Sequence, residues 1–213
     1  MKKFAIKTTF IMLSALFMFN QQVTAQEFKA GKEYEQVRPE PTAQKEVIEL
    51  FSFYCPHCYE FNTTYKIPQK IQQGLPKDAV LKEYHVDFLG GQSEELTRAW
   101  ALAMVLGKEE NVRMPLFQNA QNNAIKSMDD IRTIFLENGI TAEQFDGGIN
   151  SFVVNGLVNK QKQVAEEFKV RGVPAFFING QYKINPEGFS DVSSTDEFIK
   201  RYVDTILFLI KNK

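Results

Sequence analysis

Apolar residues dominate KEVIELFSFY, Lys45 to Tyr54, which follows the turn-forming stretch RPEPTAQ, and this pattern predicts a buried strand. A second such run, AVLKEYHVDF from Ala79 to Phe88, is closed by Gly90 and Gly91 and predicts another strand. Between them Pro56 suits the first turn of a helix, where its missing N–H costs nothing, and that helix is expected to run toward Gly74-Leu75-Pro76. From Ser93 to Val170 the spacing turns helical, with a capping-box start at Thr141 and Gln144 and stops at Gly107 and Gly139. VPAFFING and QYKI then predict a hairpin turning at Asn179-Gly180. A last helix starts at Ser194 with Glu197 three residues on, and Phe198, Tyr202, Val203, Ile206 and Leu209 give it one apolar face for a sheet. The order is strand, helix, strand, a long helical stretch, a hairpin and a final helix, which is an α/β pattern.

The N-terminus changes the picture. Lys2, Lys3 and Lys7 precede an apolar run from Thr8 to Phe19, shorter than the ~20 residues a helical span needs, and small residues follow at Val23 and Ala25. This reads as a secretory signal peptide over residues 1–25, with a soluble exported protein beginning near Gln26. Without those three lysines the net charge moves from -1 to about -4, which excludes a basic nucleic-acid footprint. The remaining length suits one domain, or one domain with a large insertion. With 19 Phe and 44% hydrophobic residues such a chain buries a full core without disulfide support.

The only two cysteines are Cys55 and Cys58, in EVIELFSFYCPHCYEF. As a staple they close a ring of about four residues, and so small a ring contributes only about 2 kcal/mol. As a zinc site they supply two of four ligands, and the only histidines in the chain are His57, between them, and His85. A reactive pair uses the whole motif. Cys55 stands where a strand ends and a helix begins, so its sulfur faces free backbone N–H groups and the positive end of the helix dipole. Both favour thiolate, of which an ordinary thiol with a pKa of ~8.5 carries only about 3% at pH 7. His57 beside the helix start adds a donor and, when protonated, positive charge; a solvent-facing first-turn residue is its plainer reading. Cys58, one turn into the helix, is expected to be less exposed and to resolve a mixed disulfide formed through Cys55. No metal is expected.

FSFYCPHCYEF, KEYHVDFLGG, LTRAWALAMVLG, NSFVV, VRGVPAFFING and NPEG resemble, in that order, the DsbA family of periplasmic thiol:disulfide oxidoreductases. The resemblance implies a thioredoxin fold with an inserted all-helical domain: residues 26–89 and 166–213 as the two thioredoxin-like parts, and 90–165 as the insertion. It implies that Cys55 is the attacked sulfur, Cys58 the resolving one, and Pro174 a cis-proline facing them, although X–Pro bonds are ordinarily trans. Val173 would then offer a backbone edge to an unfolded polypeptide, beside an apolar groove that includes Phe61, Pro186 and His57; Phe61 equally suits ordinary helix core. It further implies a thiol:disulfide oxidase of newly exported proteins with no cofactor beyond its own disulfide, acting in the periplasm as a monomer and reoxidised by a membrane quinone reductase of the DsbB kind. A disulfide isomerase or reductase of the same fold, and a non-catalytic peptide-binding protein, are the competing readings.

Glu49 is an acid in an otherwise apolar strand, and a buried carboxylate titrates high unless paired. It matches the family's buried acid and suits proton transfer with Cys58; an acid at a partly wet sheet end is the alternative. Where the family has a lysine across the sheet and a second acid on the active-site helix, this chain has Glu83 and Asn62. Near each other, Glu49 and Glu83 require that one be protonated or that a cation such as Lys82 be recruited. Trp100 is expected in a helix core and His85 as a hydrogen-bonded structural residue.

Overall fold

The computed structural model describes residues 28–212, so the signal-peptide reading of residues 1–25 lies outside the described residues. The elements in chain order are β1 (Tyr34–Gln36), β2 (Lys45–Phe51), α1 (Pro56–Thr63), α2 (Ile67–Gly74), β3 (Ala79–His85), α3 (Ser93–Leu106), α4 (Glu109–Gln121), α5 (Met128–Glu137), α6 (Ala142–Gly148), α7 (Phe152–Glu167), β4 (Ala175–Ile178), β5 (Tyr182–Ile184) and α8 (Thr195–Asn212). The strands form one sheet in the order β1-β5-β4-β2-β3. β2 and β3 are parallel, joined by the crossover through α1 and α2; β4 is antiparallel to β2 on its other side, and β5 is antiparallel to β4. Helices α3 to α7 all come between β3 and β4.

Both long strands stop before the expected Tyr54 and Phe88. Beyond Phe51 the backbone N–H groups leave the ladder: Tyr54 donates to Ser52 Oγ (3.1 Å) and Cys55 to the Ser52 carbonyl (3.0 Å), which closes a turn. The single helix expected from Pro56 toward Gly74 is two. Pro68 lacks an N–H and its ring would meet the carbonyl of Thr64, so α1 ends at Thr63 and the chain turns at Lys66, whose φ of 52° is left-handed. β1 is too short to leave a pattern in the sequence. The capping box at Thr141 and Gln144 forms, Ser194 Oγ accepts from the Glu197 N–H (3.1 Å), and Asn179 and Gly180 turn the hairpin with φ of 53° and 63°.

Alternation along β2 divides the core. Ile48 and Leu50 face one side of the sheet, with Val164 and Val170 at the end of the helical stretch. Val47 and Glu49 face the other, under α1, α2 and α8, where Ile71, Phe176, Tyr202 and Ile206 pack. A third cluster joins the cysteine turn to the inserted helices: Phe53 packs edge-on to Trp100 and Phe117 at 5.6 and 4.8 Å, and stacks on His85 at 5.1 Å. The turn that carries Cys55 is therefore held by α3 and α4 as much as by the sheet. Trp100 is core, as expected, and its Nε1–H donates to the Glu83 carbonyl at 2.8 Å. No helix among the described residues is long and apolar enough to cross a membrane.

Phe117 is fully buried against Phe51, Phe53 and Tyr59. Phe117→Ala removes that packing and is expected to destabilise the protein by about 3–5 kcal/mol, read as a lower urea midpoint with an unchanged slope.

Candidate active site

Cys55 is the N-cap of α1, with extended backbone (φ -85°, ψ 117°), and Pro56 fills the first helical position. A cysteine sulfur here does what a serine hydroxyl does at other caps: Cys55 Sγ accepts from the N–H of Cys58 at 3.3 Å. Both cysteines are free thiols and both are buried, Cys58 completely. Hydrogen bonding from the Cys58 thiol, with the amides of Cys58 and His57 and the charge of His57, outweighs burial and holds the Cys55 thiol at about 7, down from 9.0. A thiol with that pKa is about half ionised at neutral pH. Burial pushes Cys58 strongly the other way, reinforced by its hydrogen bond and charge contact with Cys55 and by Glu49. One sulfur is thus a ready anion and its neighbour a thiol that resists ionisation.

The chain comes back to this sulfur at the Val173-Pro174 bond, which is cis, against the ordinary trans preference. The Val173 carbonyl accepts from the Cys55 thiol at 3.2 Å. His57 is exposed on the first turn of α1, with Nδ1 3.4 Å from Glu60 Oε2. A groove of about 630 Å³ is lined by His57, Phe61, Val173, Pro174, Pro186 and Phe198 among others. Phe61 has both roles weighed for it: its ring is buried against Phe176 and Tyr202, yet its edge lines the groove. Among the described residues no three His, Cys, Asp or Glu side chains converge as a metal site.

Beneath the cysteines, Glu49 is fully buried, and neither carboxyl oxygen is hydrogen-bonded to a cation or to a backbone amide among the described residues. It is not the partly wet acid of the alternative reading. Burial and then the charge of Glu83, its register partner on β3, push its pKa well up, which favours the protonated carboxyl. Lys82 is not recruited. It lies on the opposite face of β3, where strand alternation sends it to Glu46 at 2.6 Å. The cation is Arg113 of α4, whose Nη1 and Nη2 donate to Glu83 Oε1 (2.5 Å) and Oε2 (2.8 Å), while Nη1 also reaches Asn62 Oδ1 (3.3 Å). Asn62 in turn donates to the Cys58 carbonyl at 3.1 Å.

Arg113 was not singled out in the sequence. Its signal was a charge within the buried stripe of α4, among Val112, Leu116, Phe117 and Ala120. His85 was expected to be structural, and its contacts are specific: Nε2 accepts the Phe53 N–H (3.2 Å), so Nδ1 carries the hydrogen given to Thr97 Oγ1 (2.8 Å). Burial lowers its pKa to about 3, so it stays neutral.

A model of the DsbA-like thioredoxin domain matches residues 46–202. The chain belongs to the DsbA family. It is 62% identical over 187 residues to the thiol:disulfide interchange protein DsbA of Haemophilus influenzae, covering 88% of this chain and 89% of that protein. It is 43% identical to DsbA of Yersinia pestis, covering 90% and 92%. The crystal structure of the disulfide oxidoreductase DsbA from Proteus mirabilis superposes with a TM-score of 0.81 at 43% identity, covering 86% of this chain and 97% of that one. A further structure of the Proteus protein, a cysteine-to-serine variant, holds a non-covalently bound peptide, PWATCDS (TM-score 0.82, 42% identity, covering 86% and 98%). The fold is therefore the α/β thioredoxin fold of this family, and the activity is thiol:disulfide interchange.

Reactivity follows the sulfur asymmetry. In the reduced protein alkylation is expected at Cys55 alone, with a midpoint near pH 7 and about tenfold slower reaction per unit below it as thiolate is lost. In Cys58→Ala the midpoint rises, because the thiol that donates to Cys55 is gone; thiolate absorbance against pH checks both.

Proposed function

We propose that this protein is a thiol:disulfide oxidase that passes a Cys55–Cys58 disulfide to reduced, newly exported proteins. The asymmetry of the two sulfurs carries the reading: Cys55 is held as a good leaving group at the start of α1, while Cys58 is buried and resists ionisation. A client thiolate attacks Cys55 Sγ, forming a client–Cys55 disulfide and breaking the Cys55–Cys58 bond. The electron pair goes to Cys58 sulfur, which takes a proton from Glu49. A second client thiolate then attacks the client sulfur, and Cys55 departs as a thiolate stabilised by the Cys58 and His57 amides, the Cys58 thiol and His57. Two client thiols become one disulfide, and the enzyme is left reduced.

Val173, with its carbonyl beside Cys55, offers main-chain pairing to an extended client, a mode that reads little of the client's sequence. Pro174 fixes that edge, and His57, Phe61 and Pro186 give its apolar side chains a groove. The peptide held by the Proteus relative supports such binding. The disulfide itself is the only redox group this cycle needs. Each turnover leaves it reduced, so a membrane quinone reductase of the DsbB kind is the partner that would restore it, with the protein working as a soluble monomer in the periplasm.

A Cys58→Ala variant, loaded with a mixed disulfide from an activated thiol donor and mixed with a reduced unfolded protein that has a single cysteine, is expected to keep that client covalently attached through Cys55. Cys55→Ala is expected to trap none. Equal trapping by both variants, or by neither, would remove the assigned order of attack.

A further inference from the structure

The proton that Cys58 receives has to be replaced, and the acid set beside Glu49 is Glu83, its register partner on β3. The charged or titratable groups around Glu49 come from four elements: Glu83 on β3, Arg113 on α4, Cys55 and Cys58 at α1, and Tyr202 on α8. Of these, Glu83 and Arg113 open to the outside. Clefts of about 340 and 280 Å³ lie at this pair, one walled by α2 (Gln69, Gln72), the other by Trp100 and Met104, and both include Glu110. Neither shares a residue with the groove at His57 and Val173. Arg113 is itself buried, 4.9 Å from the centre of the Trp100 ring, with Nε and Nη2 on Glu110 Oε1 at 3.1 and 3.0 Å, so its fork on Glu83 is fixed from both sides.

We propose that Arg113 is a positioning residue for disulfide exchange: it holds Glu83 as the anion facing these clefts, and through Glu83 the buried Glu49 regains from water the proton it gives to Cys58. The inference rests on the reading that Glu49 protonates Cys58. When Cys58 leaves as a thiolate, Glu49 gives up its proton and becomes a carboxylate beside Glu83. A proton entering at the clefts passes over Glu83 to Glu49, and Glu83 returns to its pairing with Arg113. Client and proton thereby use different faces of the molecule, and a bound polypeptide does not close the proton's route.

Two substitutions move Glu49 in opposite directions. Glu83→Gln removes the neighbouring negative charge, so the Glu49 midpoint falls; Arg113→Met removes the neighbouring positive charge, so it rises. Each shift is expected to be roughly one pH unit. Arg113→Lys keeps the charge and is expected to restore most of the wild-type value. If Arg113→Met alone does not fold, the charge-free double variant Glu83→Gln with Arg113→Met replaces it, and its midpoint is expected to fall by less than in Glu83→Gln alone.

Glu49 is read directly by the infrared carbonyl band of its protonated carboxyl in the oxidised protein, assigned with Glu49→Gln. The alkaline limb of single-turnover reduction by glutathione, corrected for glutathione thiolate, should shift with it. Opposite shifts in both readouts support the proposal. A Glu49 midpoint unmoved by either variant, or rates lowered equally at every pH, overturns it while leaving the oxidase reading intact. A wild-type protein that does not exchange with glutathione overturns both.

Discussion

A sulfur at a helix N-cap is the constraint on which the rest of this structure turns. Cys55 must sit where β2 has ended and α1 has begun, because only there do backbone N–H groups point at a side chain without a carbonyl already accepting from them. Pro56 makes the position cheap to form. Ser52 closes the turn that delivers it, and Phe53 locks that turn among Phe51, His85, Trp100 and Phe117. The inserted helices thus form the wall that keeps the turn rigid, and the aromatic cluster that stabilises the fold also aims the reactive atom.

The same arrangement creates a problem on the buried side. A thiol that becomes a good leaving group at Cys55 obliges Cys58, inside the protein, to accept an electron pair where an anion is costly. In the proposed cycle a protonated Glu49 meets that need from within the sheet. Burial and an acid as its register partner on β3 both favour that protonated form, and Arg113 satisfies the second acid rather than Glu49 itself. The cation paired with that second acid therefore comes from α4, in the inserted helices.

Much of this was legible in the sequence. The two strands, the capping box at Thr141, the hairpin and the final helix follow from period and turn chemistry, and the cysteine pair at a strand-to-helix junction follows from its apolar run and Pro56. The break between α1 and α2 was legible too, in Pro68, but a helix bounded only by Pro56 and Gly74-Leu75-Pro76 passes over it. What local pattern does not carry is which long-range partner a charge finds. Lys82 is adjacent to Glu83 in sequence and on the wrong face in space, while Arg113 is thirty residues away and in contact. Likewise the cis bond at Pro174 follows from the motif around it and not from the preference of an isolated X–Pro bond.

The central claim is that the Cys55 thiolate sets the direction of exchange, and the equilibrium of the Cys55–Cys58 pair with glutathione, followed against pH, tests it most directly. Glutathione thiols stay largely protonated up to about pH 8.5, whereas reduced Cys55 loses its proton near 7. Between those values the constant for reducing the protein's disulfide should climb about tenfold per pH unit, equivalent to roughly 30 mV each time. A constant that stays flat across this range, at the value of an unperturbed dithiol, would contradict the account.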